Sequence, residues 1–354
     1  MCLTSVVVVR FGTVPHHGAH DDVSRAFVVL NRVNSRGNVP GAVVESYVGY
    51  TESVSLTGEG SLIMSNFEHE YTTQPEMWRR AAELASTVTL FPPGARVAFI
   101  GCGTSLYVAQ AAAAYRNEQM IGESDAFPAS EVPPGRRYDT VVVISRSGTT
   151  TEVLDATAAL APHTRILAIT AVDDSPLARL VADRIVLSFA DERSIVQTRF
   201  ATSTLSLLLA SCGWDVGASA TRAEVFLGEP PEDVEAADHF VFLGRGVGAA
   251  LANEAALKMR EVLSVWTESY PTMEYRHGPI SAASERSLVW ILDNAEPSID
   301  DEIAVTGARV VRSGSDPLAG LVRVHRAVQQ LATRRGIDPD HPRFLVRSIM
   351  LDRR

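Results

Sequence analysis

The feature that most constrains the fold is an apolar strand that runs into a Gly-x-Gly turn, and it occurs twice. Residues 98–103 read Ala-Phe-Ile-Gly-Cys-Gly, and residues 241–246 read Val-Phe-Leu-Gly-Arg-Gly. Each copy lies in a stretch where short apolar segments alternate with helical ones. Strands that are apolar throughout are buried on both faces, as in a parallel sheet covered by helices on both sides. We therefore predict a three-layer α/β fold with two doubly wound parallel sheets in tandem.

The same alternation predicts the individual elements and the domain boundaries. In the first half we expect strands at residues 97–100, 140–144, 166–170 and 185–187, and helices at 75–84, 105–116, 152–160, 176–181 and 198–210. In the second half we expect strands at 239–243, 288–292 and 309–312, and helices at 250–265 and 319–335. These elements predict a first domain at 64–227, a linker at 228–238, a second and shorter domain at 239–336, and a tail at 337–354.

Residues 1–63 do not follow this pattern, because their apolar bursts show no sustained period. We expect them to form a disordered extension. His16, His17 and His20 lie close together, but a short histidine cluster near a terminus is usually solvated, so we predict no metal site. A second interpretation is that translation starts at Met64, because Gly-Glu-Gly at 58–60 is what a purine-rich ribosome-binding sequence would encode.

Composition and charge exclude several classes of protein. The three cysteines, Cys2, Cys102 and Cys212, are too few and too far apart for a disulfide framework or a zinc site. No apolar run approaches the ~18 residues of a membrane span, and the first residues lack a secretory signal, so we expect a cytoplasmic protein without a membrane partner. A net charge of -10 repels nucleic acid, yet it permits a small phosphorylated ligand held by backbone amides and a few cations.

Two hydroxyl-rich turns follow two of the buried strands of the first domain. Gly-Cys-Gly-Thr-Ser at 101–105 and Ser-Arg-Ser-Gly-Thr-Thr at 145–150 each precede a helix. Parallel strands end at the same edge of a sheet, so both turns are expected at the edge where open α/β sheets bind ligands. Hydroxyls, amides and two helix N-termini suit a phosphate monoester. The alternative is an exposed Ser/Thr turn whose hydroxyls only cap helices.

The second half carries candidate acid–base groups. Glu254, Lys258 and Glu261 are spaced to share one face of a helix, where a carboxylate beside a cation could move a proton between adjacent carbons. The alternative is a solvated stripe of salt bridges. His277 precedes Gly278 and Pro279, which predict a tight turn that presents the histidine from a loop.

Taken together, these motifs resemble the tandem sugar isomerase (SIS) domain family. They are Gly-Cys-Gly-Thr-Ser at 101–105, Ser-x-Ser-Gly-x-Thr at 145–150, Glu-x-Ala-Leu-Lys-x-x-Glu at 254–261 and Arg-His-Gly-Pro at 276–279. From about residue 74 onward, the chain is most similar to the isomerase half of glucosamine-fructose-6-phosphate aminotransferase and to related phosphosugar isomerases, deaminases and deglycases. The resemblance implies two SIS domains in tandem.

The resemblance also implies a role for each residue. Glu261 would be the base that moves a proton between C1 and C2. His277 would assist ring opening from a neighbouring subunit, which implies a homodimer at least. Lys258 and Glu254 match charged positions in the same cleft. Arg146 departs from the family pattern, because it replaces the glutamine common in that loop, and it would add a cation beside the phosphate. The other substrate-binding positions are Cys102, Gly103, Thr104, Ser105, Ser145, Ser147 and Thr150.

Two departures from the aminotransferase limit what the resemblance implies. Cys2 stands where that enzyme has its glutaminase nucleophile, but Leu3 replaces the glycine that follows, and the residues before Met64 are too few for the glutaminase domain, so no glutamine hydrolysis is expected. Arg347 stands where the enzyme has the lysine that forms a Schiff base. A guanidinium is a poor nucleophile, so we expect Arg347 to anchor a hydroxyl or the phosphate as the tail closes over the ligand.

These observations predict an enzyme that opens the ring of a phosphorylated sugar or amino sugar and transfers a proton between C1 and C2. The outcome would be aldose–ketose isomerisation, or deamination or deglycation where an amine is present, with no cofactor and no metal. The alternative is a non-catalytic sugar-phosphate sensor with the same fold. The presence of both Glu261 and His277, and the lack of a recognisable helix-turn-helix before residue 64, favour the enzyme.

Overall fold

The computed structural model describes residues 64–293 and 298–351, together with four short strands nearer to the N-terminus. These strands pair two by two: β1 (Val6–Val8) runs antiparallel to β3 (Asn31–Val33), and β2 (Phe27–Val28) runs antiparallel to β4 (Gly49–Tyr50). The histidine cluster at 16–20 and the sequence at 58–60 lie outside the described residues. The chain from Met64 onward forms a compact unit of its own.

The first half of this unit is built around a five-stranded parallel sheet. Its elements in chain order are α1 (Asn66–Thr72), α2 (Gln74–Thr87), β5 (Val97–Gly101), α3 (Thr104–Glu118), β6 (Ser124–Pro128), β7 (Thr140–Ile144), α4 (Thr151–Leu160), β8 (Arg165–Thr170), α5 (Pro176–Leu180), β9 (Asp183–Val186), α6 (Arg199–Ala210) and α7 (Val216–Gly228). The spatial order of the strands is β6-β5-β7-β8-β9. Strands β5 and β7 are buried throughout, which explains their uninterrupted apolar sequence.

The second half repeats this arrangement with four strands. Its elements are β10 (His239–Gly244), α8 (Val247–Leu263), β11 (Thr267–Pro271), β12 (Ser287–Ile291), α9 (Ser298–Val305), β13 (Arg309–Arg312) and α10 (Pro317–Arg334). The strands are parallel and lie in the order β11-β10-β12-β13. In each sheet the second strand pairs on one side of the first, and the third strand pairs on the other side. The loops after the first and third strands therefore diverge at a switch point, where such sheets bind ligands.

A shared layer of helices lies between the two sheets. Helix α3 packs against α8, and α10 packs against both α8 and α7. Phe99 of the first sheet and Phe242 of the second belong to one buried apolar cluster. A smaller apolar cluster covers the opposite face of each sheet. Each sheet is thus the middle of three layers, as the sequence predicts.

The Gly-x-Gly turns of the two halves have the same backbone conformation. Gly103 has φ 55° and ψ -126°, and Gly246 has φ 52° and ψ -119°. Each precedes the first residue of a helix. A positive φ combined with this ψ is open to glycine and strained for other residues. The similarity between the two halves therefore extends from the sequence to the backbone of the turn.

From residue 64 onward the predicted strands and helices are confirmed within a few residues of their expected ends, but the pattern misses two edge strands and three helices there. It also misses the four short strands β1–β4 in the segment that was expected to be disordered. Strands β6 and β11 are partly exposed, carry polar residues and end on Pro128 and Pro271, so neither is continuously apolar. Helix α7 ends at Gly228, the first residue of the predicted linker. Helices α1 and α9 are short, with seven and eight residues.

We expect Gly246→Ala to destabilise the protein. Alanine would be forced to φ 52°, a backbone conformation that costs about 1–3 kcal/mol. The free energy of unfolding, measured by urea denaturation, should fall by that amount. Gly228→Ala is the control, because a Cβ at Gly228 meets nothing within 4 Å and φ there is not positive. Equal losses of stability in the two variants would contradict this account of the turn.

Candidate functional site

The two hydroxyl-rich turns lie side by side at the carboxyl edge of the first sheet. A small cavity between them is lined by side chains from both turns, and we call these side chains the hydroxyl cradle: Cys102, Ser105, Ser145, Ser147 and Thr150. Helices α3 and α4 begin at this cavity, and neither has a side-chain hydrogen bond that caps its first turn. No side-chain cap therefore competes with an anion at these two helix starts.

The other predicted positions in these turns have different surroundings. Gly103 precedes α3 and sets the direction of the turn. Thr104 is buried and faces the second half of the unit, where its hydroxyl contacts Lys258. The Ser145 hydroxyl accepts a hydrogen bond from the Gly148 N–H at 3.2 Å, so it holds the second turn in shape.

The C-terminal tail is seated on the cradle by hydrogen bonds. Ser348 Oγ lies 2.9 Å from Thr149 Oγ1 and 3.2 Å from Thr150 Oγ1. The Thr151 N–H, the first of α4, donates to the Ile349 carbonyl at 3.1 Å. Ser348, which the sequence analysis did not identify, therefore belongs to the site. Its only sequence signal is its position next to Arg347.

Arg347 is engaged by the segment at 191–198. Its guanidinium donates to the Glu192 carbonyl and pairs with the Asp191 carboxylate. It lines the cradle cavity while making these contacts. The same contacts keep the tail at the cradle, in keeping with the expected closing role of this residue.

Arg146 is held by the same segment. Its guanidinium donates to the carbonyls of Ser194 at 2.9 Å and Ile195 at 2.8 Å, and it lies 3.5 Å from the Glu192 carboxylate. Burial lowers the pKa of Arg146, and the charge of Glu192 opposes that shift. Arg146 thus connects the turn at 145–150 to the segment at 191–198 by hydrogen bonds. Its contact with a phosphate stays a prediction.

Beside the cradle, a buried cluster joins α8 to the start of α3. The Lys258 side chain is 0% exposed; its ammonium donates to Thr104 Oγ1 at 2.9 Å and to the Glu261 carboxylate. It also lies 3.4 Å from the carboxylate of Glu254, whose side chain is 3% exposed. Glu261 differs, because 19% of its side chain is exposed. The alternative of a solvated stripe is therefore wrong for Lys258 and Glu254.

Burial changes the proton affinity of this cluster. Desolvation raises the pKa of Glu254 to about 7, against the opposing effect of Lys258. Burial alone would lower the pKa of Lys258, but the charges of Glu254 and Glu261 outweigh it and raise the pKa. Lys258 is thus a permanent cation near neutral pH, and Glu254 is a group that changes protonation there.

His277 is not joined to this cluster. It follows the 3₁₀ helix Glu274–Arg276 after β11 and is exposed. Its ring makes no hydrogen bond or ion pair with the residues that the structure describes. The ring is accessible to another molecule, and its part in ring opening stays a prediction.

Gln197 is a cavity residue that the sequence analysis did not identify. It lines the cradle cavity, and its Oε1 is buried without a hydrogen-bond partner among the described residues. A buried acceptor of this kind favours a ligand that donates a hydrogen bond to it. No local pattern marks Gln197, because its segment reaches the cradle through Arg146 and Arg347. Within the described ranges, no group of three or more His, Cys, Asp or Glu side chains could hold a metal ion.

Comparison with known proteins shows what the chain is similar to. A family model described as the SIS domain matches residues 90–212, which include the first sheet and both hydroxyl-rich turns. The chain is 29% identical over 323 residues to the isomerizing glutamine–fructose-6-phosphate aminotransferase of Gloeobacter violaceus, and the match covers 74% of this chain and 53% of that protein. The chain thus spans about half the length of the curated relatives it matches.

Solved structures match most of the chain. Glucosamine-6-phosphate deaminase from Thermotoga maritima has a TM-score of 0.71 and 26% identity, and the match covers 81% of this chain and 100% of the deaminase. The C-terminal domain of glucosamine-fructose-6-phosphate aminotransferase from Francisella tularensis has a TM-score of 0.68 and 18% identity, with 79% and 99% covered. The second match shows likeness of fold alone. Both support the three-layer α/β architecture with parallel sheets.

The raised pKa of Glu254 predicts a pH dependence of stability. A carboxyl whose folded-state pKa exceeds the unfolded value of 4.5 contributes stability below that value, and this contribution is lost as pH rises toward about 7. Glu254→Gln should remove this loss, which is on the order of 2 kcal/mol. Urea denaturation at pH 5 and at pH 8 measures it. Glu131→Gln, at an exposed position, is the control, and a variant slope equal to that of the unmodified protein would contradict the prediction.

The contacts of Arg347 predict that it holds the tail on the cradle. In Arg347→Met the pairing with Asp191 is lost, so the tail should leave the cradle more often. Peptides covering residues 344–351 should then exchange amide hydrogen severalfold faster in hydrogen-exchange mass spectrometry. Arg137→Met is the control, because Arg137 is an exposed residue remote from the tail in sequence and has no hydrogen bond or ion pair with the described residues. Unchanged exchange in Arg347→Met would show that the hydroxyl and backbone contacts hold the tail without it.

Proposed function

We propose that this protein is an enzyme that binds a phosphorylated sugar or amino sugar, opens its ring and transfers a proton between C1 and C2. The observation that carries the proposal is the position of Glu261. Its partly exposed carboxylate is bonded to Lys258, which in turn contacts Thr104 at the start of α3. A reactive carboxylate is thereby positioned beside the turn that forms one wall of the cradle.

The cradle supports binding of a phosphate group. Ser105, Ser147 and Thr150 offer hydroxyls, and α3 and α4 begin at the same cavity without a side-chain cap. Two helix N-termini favour a dianion, and hydrogen bonds to a charged group are the strong ones. Arg146 and Arg347 also line this cavity, where the carboxylates of Glu192 and Asp191 balance their charges.

The proton transfer follows from the chemistry of a carboxylate beside an open-chain sugar. Glu261 takes the proton from C2, the C–H electrons form the C1–C2 double bond, and O1 receives a proton, which gives an enediol. Return of the proton to C1, with loss of the O2 proton, gives the ketose. With an amine at C2 the same shift gives an imine that water cleaves with release of ammonia. Lys258 orients Glu261 throughout, because its position is fixed by Thr104 and Glu254.

The engagement of Arg347 argues against a covalent imine with the protein. Its two terminal nitrogens are committed to Asp191 and the Glu192 carbonyl, and a guanidinium does not lose its proton near neutral pH. We therefore assign the protein to isomerisation, deamination or deglycation of a sugar phosphate without a covalent imine at Arg347. The deaminase and aminotransferase relatives support this class of substrate.

The proposal includes the tandem and oligomeric organisation. The first four strands of each half have the same spatial order, and Gly103 and Gly246 have the same backbone conformation. Both similarities support a second, shorter SIS domain at 239–336. The exposed His277 supports a homodimer in which this residue completes the partner's site. No helix of the described chain has the length and apolarity of a membrane span. A cytoplasmic location and the lack of a nucleic-acid partner are part of the same proposal.

A sugar-phosphate sensor is the second candidate, and the seated tail favours it. Ser348 already occupies hydroxyls of the cradle, so binding of a phosphate would shift the tail and could signal to a partner. A sensor, however, needs no partly exposed carboxylate held by a buried ammonium, whose desolvation is costly. The cluster around Lys258 therefore favours the enzyme.

Solvent-deuterium exchange distinguishes the enzyme from the sensor. The protein is incubated in deuterated water with fructose 6-phosphate, glucosamine 6-phosphate, galactosamine 6-phosphate and a fructosamine 6-phosphate, and NMR follows C1 and C2. We expect deuterium at one of these carbons, and at least about 100-fold slower incorporation in Glu261→Gln. Glu83→Gln, an exposed carboxyl on α2, should leave the rate unchanged. Binding without exchange would support the sensor, and full activity of Glu261→Gln would remove Glu261 as the base.

A further inference from the structure

One atom in the cradle cavity is unsuited to a phosphate. The other polar side chains that line the cavity carry O–H, S–H or N–H groups, as Ser105, Ser147 and Thr150 do. Gln197 Oε1 is a carbonyl oxygen, which can only accept a hydrogen bond, and it is buried without a partner among the described residues. A phosphate dianion also has only acceptor oxygens. The donor that satisfies Gln197 Oε1 must therefore come from another part of the ligand.

The backbone on both sides of Gln197 is held in place. On one side, the Ile195 carbonyl accepts a hydrogen bond from the Arg146 guanidinium at 2.8 Å. On the other side, the Thr198 N–H donates to the Glu192 carboxylate at 2.6 Å. An acceptor on a fixed segment discriminates well between ligands, because the segment is already in position before a ligand binds. Gln197 is thus part of a preformed wall of the cavity.

The size of the cavity limits which ligand atoms Gln197 can reach. Its volume beneath the seated tail is only about 30 Å³, so the side chains around it can contact only the phosphate and the atoms next to it. In a hexose 6-phosphate the phosphate is attached through O6, and the nearest other oxygen is O5 on the adjacent carbon. O5 is therefore the first ligand oxygen outside the phosphate group that this wall can contact.

O5 differs between the closed and the open form of the sugar. In an aldose pyranose and in a ketose furanose, O5 is the ring oxygen and carries no hydrogen. Ring opening breaks the bond between O5 and the anomeric carbon; O5 gains a proton, and the anomeric hydroxyl loses one as the carbonyl forms. Only the open chain therefore has an O5–H group. A closed ring would place one acceptor oxygen against another and leave Gln197 Oε1 unpaired.

We propose that Gln197 selects the open-chain form of a hexose 6-phosphate by accepting a hydrogen bond from O5–H. This inference rests on the proposed function, because it requires a sugar phosphate in the cradle. Gln197 is then a specificity-determining residue that stabilises the product of ring opening, which is the form from which Glu261 removes a proton. A sugar phosphate that lacks this hydroxyl, or whose ring is closed through O5, binds less tightly.

Isothermal titration calorimetry tests the proposal with three unreactive probes. Glucitol 6-phosphate is an open chain with O5–H, its 5-deoxy counterpart lacks that hydroxyl, and 1,5-anhydroglucitol 6-phosphate keeps O5 in a closed ring. We expect glucitol 6-phosphate to bind at least about tenfold more tightly than either of the others, because a buried acceptor left unpaired is costly. Equal affinity for glucitol 6-phosphate and either of the others would overturn the proposal.

A variant assigns this preference to Gln197. Gln197→Met keeps the length of the side chain but removes the acceptor, so the preference for glucitol 6-phosphate over its 5-deoxy counterpart should fall to about twofold or less. Gln330→Met is the matched control, because Gln330 Oε1 is also buried without a partner among the described residues but does not line the cavity. This control should keep the full preference. A preference that persists in Gln197→Met would place the partner of O5–H elsewhere and overturn the proposal.

The same titrations separate this inference from the proposed function. If the unmodified protein binds all three probes equally, the cradle still binds sugar phosphates and only the role of Gln197 is lost. Binding of none of the three would overturn this inference, and the deuterium-exchange experiment would then decide separately on the proposed function.

Discussion

One buried ammonium group fixes the relation between the two halves of the molecule. Lys258 belongs to α8 and Thr104 is the first residue of α3, so their 2.9 Å hydrogen bond connects the helical layer of the second half to the turn that forms the cradle. An ammonium without water needs compensation by anions and hydrogen bonds, and here Glu254, Glu261 and Thr104 provide it. Loss of any of the three would leave the buried ammonium with less compensation. The partly exposed carboxylate of Glu261 is therefore held in place by its bond to a buried partner.

The segment at 191–198 has a comparable role on the other side of the cradle. It contains little regular structure, yet charged side chains from three elements hold it. Glu70 of α1 accepts from the Arg193 and Ser194 N–H groups, Arg146 donates to carbonyls from below the cradle, and Arg347 does so from the tail. The leading helix, the cradle and the tail thus share one support. A change in any of them is transmitted through hydrogen bonds to the same short segment.

The local sequence pattern predicted the interior strands of each sheet but not the edge strands β6 and β11. Strands such as β7 are buried on both faces and leave a continuous apolar run, whereas β6 and β11 pair on one side and keep polar residues. The cradle hydroxyls follow directly from the strand ends. Gln197 and Ser348 could not be found in this way, because they reach the cavity by contacts between distant parts of the chain. Spacing also could not decide whether Lys258 is solvated, since its burial depends on α3.

The tail keeps most of its large apolar side chains in water. Phe344 is 93% exposed and Met350 is 71% exposed, while the contacts that hold the tail are made by a guanidinium, a hydroxyl and backbone groups. Lifting it from the cradle therefore uncovers little additional apolar area, so opening carries a small heat-capacity change and responds weakly to urea. The attraction between Arg347 and Asp191 is partly exposed and is screened by dissolved ions. Access to the cradle is consequently governed by ionic strength more than by temperature.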